Sequence, residues 1–421
     1  MKKAYVNAQL STGHGGLLVE FGTVVACGAG VTAQSVGEAQ IVDCKGKLLL
    51  PGLIDMRVFT GEPGTEYRET LASASEAAAA GGVTTMIVMP NTQPVIDDAA
   101  MVDFVLRRAR DTAKVRVLPM AAITRGAQGE LMAEIGLVKE AGAVAITDGN
   151  RAVANAGVMR RAMMYARDHG MLVVQHVEDP ALATGVMNSG EAATRLGLAG
   201  SSGFAEMVML ERDLRLVEMT HTRYHAAQIS CAESVEIMRR AKAKGLPVSC
   251  GVSINHLVLN ENDIGPYRTF FKMSPPLRRE EDRKALVEGL RDGTIDVVVS
   301  SHDPQSEDTK RLPFGEAAFG AIGLDTLLSS ALSLYNNENI GLGRICEVLS
   351  ENPARLLGLP QGKLVHGAPA DFVLADPHLA WKVTPTTLCS RSKNSPFEHR
   401  NMEGRAIETV VAGHMVYTYA G

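Results

Sequence analysis

No apolar run in these 421 residues approaches the roughly 20 that a bilayer-spanning helix requires. The first residues, Met1-Lys2-Lys3-Ala4-Tyr5-Val6-Asn7, turn polar too soon for the apolar core of a secretory leader. The 6 cysteines (27, 44, 231, 250, 346 and 389) include no Cys-x-x-Cys pair. Buried, reduced thiols of a cytoplasmic protein are therefore expected, without a disulfide framework. A net charge of −5 with mixed signs leaves no basic stripe, which argues against nucleic acid and against anionic membrane surfaces. Gly28-Ala29-Gly30 lacks the third glycine and the following helix of a dinucleotide loop, and reads as a hairpin turn. What is present is ordinary: 46% hydrophobic and 21% charged residues, in a chain long enough for one large domain and a smaller one.

Residues 1 to about 50 alternate short apolar runs with Gly-rich turns, as in a small antiparallel sheet. From residue 53 the rhythm changes to apolar runs separated by helical stretches. The second to eighth strand candidates are 83–89, 115–120, 143–147, 172–176, 224–229, 247–252 and 296–300; helices are expected over 101–110, 130–140 and 231–244. The strand at Leu53 brings the β units to eight, a count that favours a closed (β/α)8 barrel over an open sheet. The Met159–Met164 cluster falls on a helical stretch and reads as packing. Past Gly358 short strands return at 362–367, 370–376 and 409–417. The expected organisation is an α/β protein: a barrel over 53–358, with 1–52 and 359–421 joined in one small β-sandwich.

The most informative stretch is Leu48-Leu49-Leu50-Pro51-Gly52-Leu53-Ile54-Asp55-Met56-Arg57-Val58-Phe59-Thr60-Gly61-Glu62-Pro63-Gly64. It reads as strand, Pro-Gly turn, strand and loop, with Arg57 and Phe59 on one face of the second strand. It resembles the first barrel strand of the amidohydrolase superfamily, and most closely that of dihydroorotases. The phrase Asn352-Pro353-Ala354-Arg355-Leu356-Leu357-Gly358 and the later Gly-x-Leu and Ala-Asp spacing are similar to that group too.

In the family, two histidines on this strand bind zinc and a following arginine holds the substrate carboxylate. The corresponding residues here are Arg57, Phe59 and Gly61. The resemblance further places Asp148, in Thr147-Asp148-Gly149, at a paired-Asp motif and His176, in His176-Val177-Glu178-Asp179, at a metal histidine. It places Gln228 at a second metal histidine and Ser301, before His302, at the aspartate that is both ligand and base. Asn91 keeps one substrate asparagine, whereas Ser274 replaces another. A guanidinium has no lone pair to offer a metal, and a catalytic zinc needs at least three protein ligands. Only His176 is a secure one.

Taken by themselves, His176 reads as a backbone-bonded histidine and Asp148 as the partner of a nearby cation, with Arg57 the candidate. His225 and His302 read as former supports of the ligands. Ser301-His302-Asp303 spells a triad, but consecutive strand residues point to opposite faces. The resemblance therefore implies a non-catalytic dihydroorotase homologue of pyrimidine biosynthesis, with no cofactor. It is similar to the inactive chains that some bacteria keep as structural partners of aspartate carbamoyltransferase, and a homodimer within that larger complex is expected. The alternative is an active cyclic amidohydrolase (dihydroorotase, hydantoinase or allantoinase type) with zinc in an altered site.

Overall fold

The run of buried residues from Leu48 to Phe59 is the hinge between two assemblies. The computed structural model describes residues 2–420. Its first strands are β1 (Lys2–Leu10), β2 (Gly13–Glu20), β3 (Thr23–Gly28), β4 (Gln40–Asp43) and β5 (Leu48–Pro51). One residue later, β6 (Leu53–Val58) begins the barrel. Gly52 is required at this junction, because a Cβ there would lie 2.2 Å from Thr84 Oγ1.

The barrel continues through β7 (Val83–Val88), β8 (Arg116–Pro119) and β9 (Val173–Gln175). A two-strand ladder of β10 (Met187–Asn188) and β11 (Gly200–Ser201) intervenes before β12 (Tyr224–Ala226), β13 (Val248–Ser253) and β14 (Val297–Val299). Hydrogen bonding runs β6-β7-β8 and β14-β13-β12-β9, all parallel. Ile146 bridges Ala121 to Val173, and Val58 bridges His302, so the eight-membered ring closes. The expected barrel is present. Ile54, Met56, Ile87, Met89, Val174, Val297 and Val299 share one buried cluster, contributed by strands around the ring.

The last strands, β15 (Phe372–Lys382), β16 (Asn401–Val411) and β17 (His414–Thr418), add to the first ones. Phe372 pairs with Pro51, which makes one hydrogen-bonded eight-stranded sheet from both chain ends. Tyr5, Leu17, Leu49 and Phe372 form one buried cluster on it, and Ala4, Val6, Leu18 and Val31 form another.

Some local expectations need correction. Residues 143–147 take the fourth barrel position through bridges at Ile146, with Val144 N to Pro119 O (3.1 Å) and Thr147 N to Ala121 O (2.9 Å) extending the pairing on the β8 side, and not as a regular ladder. Residues 123–133 fold back on themselves (Ala133 N to Ile123 O, 2.9 Å), so the helix expected from 130 is confined to Ile135–Glu140. Gly28-Ala29-Gly30 is no hairpin turn: the chain leaves β3 at Gly28 (φ 125°) and next pairs through β4 with β1. Residues 362–367 form a loop. The helices Ala99–Thr112 and Ala232–Ala243 match expectation, and Met159 and Met163 are buried as packing residues while Met164 is exposed. Among the described residues, no helix is long and apolar enough to cross a membrane.

Asp371 joins the two assemblies. Its carboxylate accepts from Arg116 Nε of β8 at 2.8 Å and from the Ala412 amide at 2.6 Å, and its side chain is 1% exposed. Removing one partner of a buried charged pair costs more than the pair contributes. Asp371→Ala is expected to lower stability by about 2–4 kcal/mol, measured by chemical unfolding, while Arg107→Ala in an exposed i,i+4 pair changes it little.

Candidate functional site

The C-terminal ends of the barrel strands open on a cavity of about 770 Å³. Arg57 lines it from the end of β6 and Phe59 from just beyond; His176 and Glu178 follow β9, Gln228 follows β12, Asn255 and His256 follow β13, and Ser301 and Asp303 follow β14. Ser274 enters from the loop beyond β13.

Arg57 dominates the floor. It is 3% exposed, and its Nη1 donates to the Gly149 carbonyl at 3.2 Å. Its Nε is buried with no partner, and its Cζ lies 5.2 Å from the Phe59 ring centroid. Burial lowers its pKa to about 10, against the pull of Asp303, Glu178 and Asp55, so it stays charged at neutral pH.

The expected ion pair between Asp148 and Arg57 is absent. Asp148 instead accepts from the Ile123 amide (2.8 Å), the Thr124 amide (3.0 Å) and the Thr124 hydroxyl, which hold it in the 123–124 backbone. Burial still raises its pKa. Asn91 is turned the same way: its Nδ2 donates to the Asp148 carbonyl at 3.1 Å and to Asn150 Oδ1 at 3.2 Å. Neither Asp148 nor Asn91 lines the cavity.

His176, Glu178 and Ser274 form a tight group. Glu178 Oε2 is 3.1 Å from His176 Nε2 and 2.6 Å from Ser274 Oγ, which lies 3.3 Å from the same Nε2. Burial raises the Glu178 pKa, but His176, Ser274 and the nearby Arg278 outweigh it and hold the carboxyl down to about 2. Hydroxyl and carboxylate both face one imidazole nitrogen, whereas Nδ1 has no partner. A nucleophilic triad needs them on opposite nitrogens.

His302 and His225 lie outside the cavity lining. His302 Nδ1 accepts from the Gly323 amide at 3.2 Å, and its Nε2 is 3.7 Å from Glu69. His225 Nδ1 meets Ser249 Oγ at 2.8 Å. Ser301 is held at φ 53°, so β14 geometry has ended by then, and Ser301 and Asp303 line the cavity without His302.

A family model described as dihydro-orotase-like matches residues 46–234. The dihydroorotase of Desulforapulum autotrophicum is 45% identical over 377 residues, 89% of this chain and 88% of that protein. That of Geotalea daltonii is 43% identical over 402 residues, 95% and 94% of the two chains. This chain belongs to the dihydroorotase family. The L-hydantoinase of Arthrobacter aurescens superposes with a TM-score of 0.90 at 26% identity, covering 99% of this chain and 96% of that one. The dihydropyrimidinase of Brevibacillus agri, at 22% identity and a TM-score of 0.83, shares the fold.

The residues in this dihydroorotase-family mouth do not fit the family's pair of zinc ions. Arg57 brings a fixed positive charge, Phe59 has no donor atom, and Gln228 and Ser301 are poor zinc ligands. Among the described residues, no three His, Cys, Asp or Glu side chains are grouped to hold a metal. Gly61 adds a steric fact. A Cβ there would lie 2.0 Å from the Thr65 carbonyl oxygen and 2.7 Å from that of Glu69, so this backbone admits no arginine.

Sequence reasoning missed Asn255, His256 and Asp303 as lining residues. Asn255 Oδ1 and His256 Nδ1 are buried without partners, and burial lowers the His256 pKa to about 4. Burial raises Asp303 to about 6, against Lys310, Gln305 and Arg57. Their position just beyond β13 and β14 was the available signal.

His225 gives a pH test. Burial, then Lys242 and Arg57, lower its pKa to about 3. The unfolded chain binds this proton near pH 6.5, so its contribution is complete above that pH and is lost as pH falls towards 3. His225→Gln is expected to flatten the decline of stability between pH 6.5 and 5 by at most about 1.4 kcal/mol per pH unit. Parallel unfolding curves for the two proteins would contradict this placement.

Proposed function

We propose that this dihydroorotase-family chain has no hydrolytic chemistry and serves as a non-catalytic, cytoplasmic structural partner in pyrimidine biosynthesis. The observation that carries the reading is the buried, unpaired guanidinium of Arg57 on the cavity floor. Water activation in this family rests on zinc and a carboxylate base, and here a cation, a phenyl ring, an amide and a hydroxyl stand at those positions. The partner proposed is aspartate carbamoyltransferase, with this chain as a homodimer in the larger assembly. Exposed Phe204 and Val208, one turn apart on the helix Phe204–Thr220, are consistent with a docking role.

A second reading is an active cyclic amidohydrolase. It is favoured by the names of the relatives and by Asp303, a mouth carboxyl held near a neutral pKa that suits a general base. It has no group that would activate water as a zinc ion does.

Purified protein is expected to carry far less than one zinc per chain and to turn over no dihydroorotate. Arg57→His with Phe59→His should restore neither, since groups that act as a unit fail as a unit. Turnover in that double variant would refute the ligand assignment. Co-expression with the transferase of the same source should give one co-eluting assembly, whose transferase activity or stability falls when this chain is omitted. Separate elution at micromolar concentration, with an indifferent transferase, rules out the scaffold role.

A further inference from the structure

A buried charge without a partner costs several kcal/mol, and folded proteins keep one where something else supplies the counter-charge. Among the described residues, no carboxylate comes within ion-pairing distance of Arg57. The two acids lining the cavity nearby are already engaged. Glu178 is held by His176 and Ser274, and Asp303 accepts from Gln305 Nε2 at 2.8 Å. Arg57 Nη1 is spent on the Gly149 carbonyl, which leaves the side-on edge of the guanidinium, Nε and Nη2, without a protein acceptor. That edge presents two parallel N–H donors, matched to the two oxygens of a carboxylate. Phe59 packs against the same group and fixes its orientation.

The cavity also offers Gln228 Oε1 and Asn255 Oδ1, both buried and unpartnered. His256 Nε2 faces the Pro276 carbonyl at 3.2 Å and must carry the proton, so the unpartnered Nδ1 is a bare acceptor. The mouth thus combines one fixed cation with several acceptors.

We propose that the barrel mouth is a metal-independent binding site for a small organic carboxylate, with its oxygens on the Nε–Nη2 edge of Arg57 and its N–H or O–H groups facing Gln228, Asn255 and His256. A monoanionic planar group fits better than phosphate. One free edge, with Glu178 and Asp303 close by, cannot balance a dianion. The proposal stands apart from the scaffold reading, because either can hold without the other.

The test uses the full chain, with succinamate (a monoanion that carries amide N–H groups), its neutral analogue succinamide, and inorganic phosphate as probes at constant ionic strength, followed by calorimetric titration and thermal unfolding. Wild type should bind succinamate saturably at millimolar concentration with one site per chain and a rising unfolding temperature, and should take up neither succinamide nor phosphate. Arg57→Gln should weaken succinamate by about tenfold or more, and Arg57→Lys, which keeps the charge without the fork, should weaken it too. Without succinamate, Arg57→Gln should unfold at the same or a higher temperature, since an uncompensated charge has been removed. The proposal is overturned by any of four results: no saturable succinamate binding to wild type, undiminished binding to Arg57→Gln, phosphate binding as strong as succinamate, or a lower unfolding temperature for Arg57→Gln alone.

Discussion

The structure depends on the seam where the first and last barrel strands meet. Asp55, fully buried in β6, accepts from the Arg57 and Ser300 amides, both at 3.2 Å, and the Phe59 amide donates to the His302 carbonyl at 2.8 Å. Burial raises the Asp55 pKa to about 6 although those bonds oppose it. Closing the ring there aims Arg57, Phe59 and Ser301 into one mouth, so the strand that shuts the barrel also decides its chemistry. β6 is buried on both faces, as parallel barrel strands are. Its polar residues must therefore find partners within the protein or in the cavity.

This constraint separates what a mouth side chain can vary from what the fold requires. Replacing a metal ligand by Arg or Phe leaves the strand, its ladder and the Asp55 seam intact, because only the side chain at the mouth changes. At Gly61 the backbone itself has closed around the missing side chain, with carbonyls of Thr65 and Glu69 where a Cβ would stand. Asp148 and Asn91 have likewise been taken up by local hydrogen bonds. Arg57 is different. It has been left buried, charged and half-satisfied in an open cavity, a placement that costs stability and that packing alone does not explain.

Much of the fold was legible because two periods differ: short alternating runs at the chain ends against apolar strands spaced by helices between them. The pairing of Phe372 with Pro51 was foreseeable only as a consequence of both ends having strand character. The 123–133 fold-back and the path after Gly28 were not, since each is set by backbone pairing that leaves no mark in the hydrophobic pattern. At the site, the reading of Arg57, Phe59, Gln228 and Ser301 rests on residue identity, because donor atoms are a property of side chains. Partnerships were not legible. Arg57 and Asp148 were expected to meet, yet Asp148 is held by the 123–124 segment and Arg57 reaches only the Gly149 carbonyl. Asn255 and His256 had no distinguishing spacing and emerged only as orphaned buried atoms around the cavity.

The central claim is that a fixed cation, a phenyl ring and two poor donors stand in place of the family's metal chemistry in an otherwise preserved barrel. Crystals grown with excess zinc, measured on both sides of the zinc absorption edge, test it most directly. The account predicts no anomalous peak in the mouth, with the Arg57 guanidinium still on the Gly149 carbonyl. A strong peak within about 2.1 Å of His176, with Arg57 displaced to make room for it, would contradict it.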